Sequence, residues 1–288
     1  MKVGDFVVRK SYGKDITFRI IDIKESENGI YYILKGINIR IIADAKIDDL
    51  VAVDDGFTGE KDRIFNTRVN ERIRKVMVDR DLKVGRNNKG KKIIPDKELT
   101  FGRPGKILHV DGDPYYLDAC VKVYKQLNLN IVGKSLNERE QPNQIVDLVK
   151  NIKPDIVVLT GHDGLLKNAK DYLNLNNYRN SKYFIEAVQN LRNYNSSYDE
   201  LVIFAGACQS CYESILDAGA NYASSPNRVL IHCLDPVFVC EKVAYTRIDT
   251  VVAITDVIEN TITGIKGIGG LQTRGKYREG YPKSPFVV

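Results

Sequence analysis

The feature that most constrains the fold is an alternation of short apolar runs and helix-like segments, which begins at residue 105. Such runs, when they alternate with helical patterns, predict a mostly parallel sheet covered by helices on both faces. The predicted strands are KILHVDGD, NIVGKSL, DIVVLTGHDG, ELVIFAGACQS and RVLIHCLD, and TVVAITDVIENTIT completes the pattern. The predicted helices are PYYLDACVKVYKQLN, QPNQIVDLVKNIKP, SKYFIEAVQNLRNYNSS, YESILDAGA and a segment from Pro236 to about Tyr245. Because active sites of parallel sheets lie outside the C-terminal ends of the strands, HVDGD, TGHDG and AGACQS are expected at one edge.

Residues 2–53 predict several short strands separated by turns. The tripeptide Glu27-Asn28-Gly29 predicts a hairpin turn between ITFRIIDIK and IYYILKG, and NIRIIADA predicts a final strand. Four or five strands in about 50 residues predict a small SH3-like barrel, which would serve as a docking module. We therefore expect a β-barrel at residues 1–55, a charged helical connector at 56–104 and an α/β domain at 105–288.

The connector has helical spacing from Arg68 to Asp81, followed by the basic segment Lys89–Lys92, which is expected to be a loop. The apolar positions of this helix are Val69, Ile73, Val76 and Met77. The basic segment and the formal net charge of +6 allow a nucleic-acid partner. No aromatic residues are interleaved with the basic ones, so a solvated surface is favoured and no nucleic acid is expected.

Composition sets the broad class of the protein. The chain is 43% hydrophobic and 28% charged, which is typical of globular proteins. No apolar run approaches about 18 residues, so no membrane span is expected. The N-terminus lacks the apolar core of a signal peptide. Five cysteines, an odd number, make a disulfide framework unexpected and favour a cytoplasmic protein.

Two predicted strand ends carry a histidine and a cysteine. His162 follows one strand and Cys208 follows the next, and a right-handed βαβ unit would make these strands neighbours. An imidazole can take the proton of a thiol and then protonate a leaving amine. Backbone N–H groups of Gly164 and Cys208 are candidate donors to an oxyanion. Taken singly, such a cysteine is more often a buried small hydrophobe and such a histidine is more often structural; the pair favours a catalytic dyad.

This pattern resembles the caspase-type peptidases, in which a histidine-bearing strand precedes a strand ending in Ala-Cys. The chain also resembles the YabG family of sporulation-specific proteases from endospore-forming bacteria, nearly end to end. The pieces that carry this resemblance are VGDFVVRKSYGKDITFRI, YYILKGINIRIIADA, HVDGDPYYL, LTGHDG and FAGACQSCYE. In the caspase-type pattern the histidine is followed directly by glycine, whereas here Asp163 intervenes.

The resemblance implies a caspase-like peptidase domain and a cysteine endopeptidase that acts on spore coat or cortex-associated precursor proteins. It also implies cleavage after arginine, self-processing, and a location in the mother-cell cytoplasm with association to the forming coat. Self-cleavage would have a candidate site in the connector. A non-enzymatic coat scaffold is the alternative from another class, and the sequence does not fix the oligomeric state.

Arginine specificity requires a carboxylate in the pocket for the residue before the scissile bond. In caspase-type enzymes the loop after the first strand helps to form this pocket, which makes Asp111 and Asp113 the first candidates. Asp235 and Asp163 are the others. Both Asp113 and Asp235 precede a proline, so each is alternatively a helix cap.

The remaining histidines and cysteines are weaker candidates. Cys208 and Cys211 have the C-x-x-C spacing of redox or zinc sites, but no second pair completes a zinc site, so no metal is expected. Cys211 is a rival nucleophile, His109 is a rival base, and His232 is expected to be buried in its strand. No phosphate-binding glycine loop is present in the sequence, and we expect no cofactor.

Overall fold

The computed structural model describes residues 1–27, 29–54, 59–86, 99–167 and 169–286 of the 288-residue chain. The basic segment Lys89–Lys92 lies outside the described residues. Within the described ranges, no helix is both long enough and apolar enough to cross a membrane.

The N-terminal residues form a five-stranded antiparallel sheet. Its strands are β1 (Phe6–Arg9), β2 (Thr17–Ser26), β3 (Gly29–Gly36), β4 (Ile42–Ala45) and β5 (Leu50–Ala52), in the order β4-β3-β2-β1-β5. Ser26 lies opposite Gly29, which confirms the predicted hairpin. The side chains of Val7, Phe18 and Leu34 are completely buried and belong to the core of this sheet.

The strand predicted over residues 38–45 is shorter than the sequence indicated. β4 begins only at Ile42, and Gly36–Ile41 forms a loop that leaves the sheet. A hydrogen bond of 3.0 Å from Gly36 N to Ile41 O closes this loop at its base. The apolar character of the segment has a different cause from strand pairing, because Ile39 and Ile41 pack on the core of the N-terminal sheet.

A single long helix, α1 (Glu60–Arg86), connects the two sheets. It includes the helix predicted from Arg68 to Asp81. Val69, Ile73 and Val76 are buried as predicted, whereas Met77 is exposed. The three buried side chains join the core on one face of the second sheet, so α1 is packed as part of the α/β unit.

The second sheet has six strands in the order β13-β11-β10-β9-β7-β8. The remaining strands are β6 (Phe101–Arg103), β7 (Ile107–Asp111), β8 (Ile131–Ser135), β9 (Ile156–Thr160), β10 (Val202–Ala205), β11 (Tyr222–Ser224), β12 (Val251–Val252), β13 (Ile268–Gly270), β14 (Thr273–Arg274) and β15 (Arg278–Gly280). The remaining helices are α2 (Pro114–Gln126), α3 (Gln141–Ile152), α4 (Ser181–Tyr194), α5 (Tyr212–Asp217), α6 (Asp235–Ala244) and α7 (Ile254–Asn260). All strand pairs within this sheet are parallel except the pair of β11 with β13.

Two apolar cores cover the two faces of this sheet. One core includes Ile107, Phe204 and Phe238 and packs α1, α2, α6 and α7 against one face. The other includes Val157 and Phe184 and packs α3, α4 and α5 against the opposite face. The prediction of a mostly parallel sheet with flanking helices is therefore confirmed.

One strand prediction at the C-terminal end is wrong. The run RVLIHCLD is not a strand of the sheet; β11 at Tyr222–Ser224 takes that place, and His232 forms only an isolated bridge. Ile231 and Cys233 are nonetheless buried, which explains the apolar run. The segment TVVAITDVIENTIT, which completes the predicted alternation, contains the two-residue β12 and then α7.

The loop Gly36–Ile41 packs against the C-terminal edge of the parallel strands. Ile39 forms an antiparallel bridge with His232. Cys233 N donates a hydrogen bond of 2.9 Å to Asn38 O. The N-terminal sheet therefore reaches the same edge at which the predicted catalytic residues lie.

Candidate active site

His162 and Cys208 lie at the same edge of the sheet, as the sequence predicts. β9 and β10 are parallel neighbours in which Leu159 pairs with Ala205. His162 and Cys208 each follow three residues after a member of that pair. The turn after β10 is made by Gly206, whose φ is +108°, and a Cβ there would approach Ser224 Oγ to 2.6 Å. This turn therefore requires glycine.

The Cys208 thiol is buried, with 1% of the residue exposed. Its Sγ accepts a hydrogen bond of 3.2 Å from Ile231 N. Burial raises the pKa of Cys208 to about 11, although the N–H of Ile231 and the positive charge of Arg40 act in the opposite direction. The thiol is therefore protonated at neutral pH in this arrangement.

The His162 imidazole is oriented by Asp113. Its Nε2 lies 2.8 Å from Asp113 Oδ2, and its side chain is 26% exposed. Within the described residues, neither nitrogen of the ring is hydrogen-bonded to Cys208, so Nδ1 is left for another partner. The arrangement places a carboxylate behind the histidine, as in catalytic triads.

Asp113 has several partners. Lys35 Nζ lies 2.5 Å from Oδ2, and Oδ1 accepts a hydrogen bond of 2.9 Å from Tyr115 N. Asp113 thus caps α2, which confirms the alternative interpretation of this residue. Burial raises its pKa, but the hydrogen bonds from His162 and Lys35 prevail and lower it to about 2. Its carboxylate is engaged, so it does not face an empty arginine pocket.

Asp111 is paired with Arg40, a residue that sequence reasoning missed. Arg40 Nη1 lies 3.0 Å from Oδ1 and Nη2 lies 2.6 Å from Oδ2, and both side chains are 0% exposed. Thr160 Oγ1 donates to Oδ2 at 2.8 Å. Burial opposes ionisation of Asp111, but the Arg40 guanidinium outweighs it and lowers the pKa of the carboxyl far below its usual range. The sequence signal for Arg40 was a single cation within an otherwise apolar run.

His109 lies beneath this ion pair. Its Nε2 is 2.7 Å from Thr160 Oγ1, and the residue is completely buried. Burial lowers the pKa of His109. A base at this position has no access to a substrate, so the structure does not place the rival base at the site.

Asp163 joins the loop after β9 to the loop after β10. Its Oδ1 accepts hydrogen bonds of 2.8 Å from Gly164 N and from Asn180 N. Its Oδ2 accepts from Ser181 Oγ at 2.5 Å and from Ser210 Oγ at 2.8 Å. Burial raises the pKa of Asp163, and these donors act against that shift. The Gly164 N–H, a predicted oxyanion donor, is thus donated to Asp163 in this structure.

Asp235 is completely buried at the start of α6. It accepts hydrogen bonds from Ile262 N at 2.7 Å, from Thr263 Oγ1 at 2.5 Å and from His232 N at 3.2 Å. Burial raises its pKa to about 6. These bonds hold two segments together and leave Asp235 without access to a substrate side chain. His232 is itself 1% exposed, as predicted, and burial lowers its pKa to about 3.

Cys211 has surroundings that differ from those of Cys208. It precedes α5, its N–H donates to Ser181 Oγ at 2.8 Å, and its Sγ lies 3.2 Å from Ser214 Oγ. All five cysteines are free and buried. In the described part of the chain, no group of three or more His, Cys, Asp and Glu side chains is arranged to hold a metal ion.

Glu138, which sequence reasoning did not single out, supports the histidine loop. Its Oε1 accepts a hydrogen bond of 2.6 Å from His162 N. A Cβ on Gly112 or on Gly161 would come within 2.2 Å of this oxygen. Two glycines beside the site are therefore needed to make room for a carboxylate that fixes the backbone of His162.

A thiol and a carboxylate-bonded imidazole thus follow the ends of two neighbouring parallel strands, which is an arrangement compatible with hydrolytic chemistry. The chain matches the family described as YabG peptidase U57 over residues 2–282, and it belongs to this family of peptidases. It is 41% identical over 289 residues to the sporulation-specific protease YabG of Bacillus subtilis (strain 168), with 98% of each chain covered. The prediction of a peptidase of the YabG family is therefore confirmed.

A comparison with solved structures found the RcsB response regulator of Salmonella typhimurium. The match covers 41% of this chain and 50% of that chain at 13% identity, with a TM-score of 0.27. A score of this size does not define a shared fold.

Proposed function

We propose that this chain is a caspase-type cysteine endopeptidase of sporulation, with Cys208 as the nucleophile and His162 as the general acid and base. The observation that carries the proposal is the placement of the two residues at the ends of β9 and β10, with Asp113 bonded to the far nitrogen of the imidazole. This leaves His162 Nδ1 as the atom that would exchange a proton with the thiol.

The proposed reaction has two stages. Cys208 Sγ attacks the scissile carbonyl carbon while His162 takes the thiol proton, and His162 then gives that proton to the leaving amine as the C–N bond breaks. Water, deprotonated by His162, then attacks the thioester and releases the acid and the free thiol. The N–H of Cys208 is a candidate donor to the oxyanion. The N–H of Gly164 becomes a second one only if it gives up its bond to Asp163.

We further propose that Asp111 is the carboxylate that selects arginine before the cut. Among the four aspartates considered, it holds a guanidinium through two parallel hydrogen bonds, which is the geometry that arginine selection requires. Asp113, Asp163 and Asp235 are instead bonded to partners that are not guanidinium groups. Asp111 therefore has the best-supported claim to this role.

The sporulation role rests on the similarity to the sporulation-specific protease of Bacillus subtilis. We propose that the substrates are spore coat or cortex-associated precursor proteins, cut in the mother-cell cytoplasm or at the forming coat, and that the chain also processes itself. The N-terminal five-stranded antiparallel sheet would be an SH3-like barrel that docks substrate or a coat layer. Neither a nucleic acid nor a membrane is part of this proposal.

The test compares paired fluorogenic peptides that carry arginine, aspartate or leucine before the reporter group. Wild type, Cys208→Ala, His162→Ala and Cys211→Ala are assayed together, with Cys211→Ala as the matched control for loss of a buried thiol. We expect only the arginine peptide to be cut, and only the Cys208 and His162 variants to be inactive. If Cys208→Ala still cuts the peptide, the proposed mechanism is wrong. If wild type does not cut these peptides, proteins in coat extracts or its own chain, the non-enzymatic scaffold is the better explanation.

A further inference from the structure

We propose that the loop Gly36–Ile41 is a built-in substrate mimic, which fills the arginine site with Arg40 and covers Cys208 until a substrate displaces it. The inference rests on the proposed function, because it assigns the occupant of that same cleft. Three contacts of the loop support this inference, and one difference from the geometry of a substrate explains how the loop can bind without being cut.

The first contact is that of the side chain. Arg40 crosses from the N-terminal sheet to Asp111, 71 residues away, and its guanidinium is fully buried. The ring of Tyr116 lies 4.9 Å from the guanidinium carbon, which adds a cation–π contact. Within the described residues, the buried Arg40 Nε has no hydrogen-bond partner, so the hydrogen bonds of the pocket reach only the two terminal nitrogens. A pocket of this kind is suited to any arginine that enters end-on.

The second contact is that of the backbone. Ile39 forms an antiparallel bridge with His232, and Asn38 O accepts a hydrogen bond from Cys233 N at 2.9 Å. Addition of an extended segment to an exposed backbone edge is a general mode of peptide recognition. Ile39, the residue before Arg40, is thus paired with His232. In the proposed mimic, this is the position of the residue before a substrate arginine.

The third contact is with the segment that holds the proposed nucleophile. Ile231 N donates a hydrogen bond of 3.2 Å to Cys208 Sγ, and the next residue, His232, forms the bridge with Ile39 of the loop. The positive charge of Arg40 also favours the ionised thiol, although burial prevails and raises the pKa of Cys208 to about 11. One short loop therefore fills the arginine site, pairs with the backbone of His232 and binds the segment that contacts Cys208.

The loop nevertheless departs from the geometry of a cleavable substrate. Ile41 N donates to Ile39 O at 2.8 Å, which makes a three-residue turn centred on Arg40. The Gly36–Ile41 hydrogen bond closes the loop, and the Tyr116 hydroxyl lies 2.7 Å from Gly36 O and 2.9 Å from Ile39 O. A turn at this point directs the chain away from an extended path, so the loop binds without presenting its own peptide bond.

The strand that leads into the loop also reaches the histidine. Lys35, at the end of β3, is paired with Asp113, which holds His162. Movement of the loop would therefore vacate the arginine site and expose the Cys208 thiol. It would also move Lys35 away from Asp113, the carboxylate that is bonded to His162. If exposure returns the thiol pKa from about 11 to its ordinary 9.0, the thiolate fraction at neutral pH rises about a hundredfold.

The first test compares wild type with Arg40→Gln and with the control Arg9→Gln, which removes a partly buried arginine that is paired with Asp49, away from the proposed site. The rate of Cys208 alkylation by iodoacetamide and the rate of arginine-peptide cleavage are both measured. We expect Arg40→Gln to increase alkylation by about tenfold or more and to increase cleavage, and Arg9→Gln to change neither. A folded Arg40→Gln variant with unchanged or slower alkylation would show that Arg40 is only a structural anchor.

The second test needs no variant and covers the case in which Arg40→Gln does not fold. A peptidyl arginine aldehyde is added to wild type; its carbonyl carbon bonds to the Cys208 sulfur and the thiol proton moves to oxygen, giving a hemithioacetal. Hydrogen exchange of Gly36 and Ile41 amides is then measured. Faster exchange on binding is expected, and an adduct at Cys208 with unchanged protection would overturn the mimic. Failure of the proposed function itself would appear separately, as cleavage that survives Cys208→Ala.

Discussion

The hydrogen-bond hub at Asp163 gives a prediction whose size follows from the structure. Asp163→Ala removes the acceptor of two backbone N–H groups and two serine hydroxyls. At about 1 kcal/mol of net stability per hydrogen bond, the loss is about 4 kcal/mol. Asp163→Asn retains one oxygen for the two N–H groups, and the hydroxyls can rotate to accept from the new amide, so we expect a loss of about 2 kcal/mol.

The assay is urea unfolding, carried out in a Cys208→Ala background so that self-cleavage does not interfere. The exposed Asp147, which pairs with Lys150 on the surface of α3, is the matched control, and Asp147→Ala should leave the unfolding free energy unchanged within error. A loss of about 4 kcal/mol should lower the melting temperature by about 10 °C. Equal losses for Asp163→Ala and Asp163→Asn, or a loss no larger than that of the control, would refute the reasoning.

Three further predictions follow from single contacts. The Asp113 pKa is lowered to about 2 from 3.8, so the carboxylate stabilises the fold above pH 3.8 by about 2 kcal/mol; Asp113→Asn should lose this at pH 7, and acid titration of stability should show the difference fading as pH falls through about 2. Tyr116→Phe removes the hydroxyl shared by two carbonyl groups of the loop and should cost about 1 kcal/mol in urea unfolding, with faster hydrogen exchange at Gly36 than in wild type. Native Cys208, with its pKa raised to about 11, should react with iodoacetamide at pH 8 about a hundredfold more slowly than in urea-unfolded protein, and similar rates would contradict the burial described.

The parallel sheet was predictable because its strands are buried on both faces, and such strands leave continuous apolar runs in the sequence. The same signal failed at RVLIHCLD. Ile231 and Cys233 are buried there without pairing to a strand of the sheet, and Cys233 joins the core on one of its faces. An apolar run indicates that a segment is buried. It does not by itself show that the segment is a strand, because a loop can be buried as well.

The shared location of His162 and Cys208 was predictable for a different reason. Topology alone brings the ends of successive strands together, so His162 and Cys208 could be placed from their positions in the chain. Arg40 could not, because its partner Asp111 is 71 residues away and belongs to the other sheet. Nor could the sequence separate the aspartates, since the difference between Asp111 and Asp113 depends on which cation each one meets in three dimensions.

The most direct test of the central claim is covalent labelling with a peptidyl arginine acyloxymethyl ketone, followed by mass mapping of the modified residue. The sulfur of the nucleophile displaces the carboxylate leaving group, so the label marks the attacking atom. The account predicts one label, on Cys208, that is lost in His162→Ala and strongly reduced in Asp111→Asn. A label on Cys211, or labelling of Cys208 that is equally fast in His162→Ala, would contradict it.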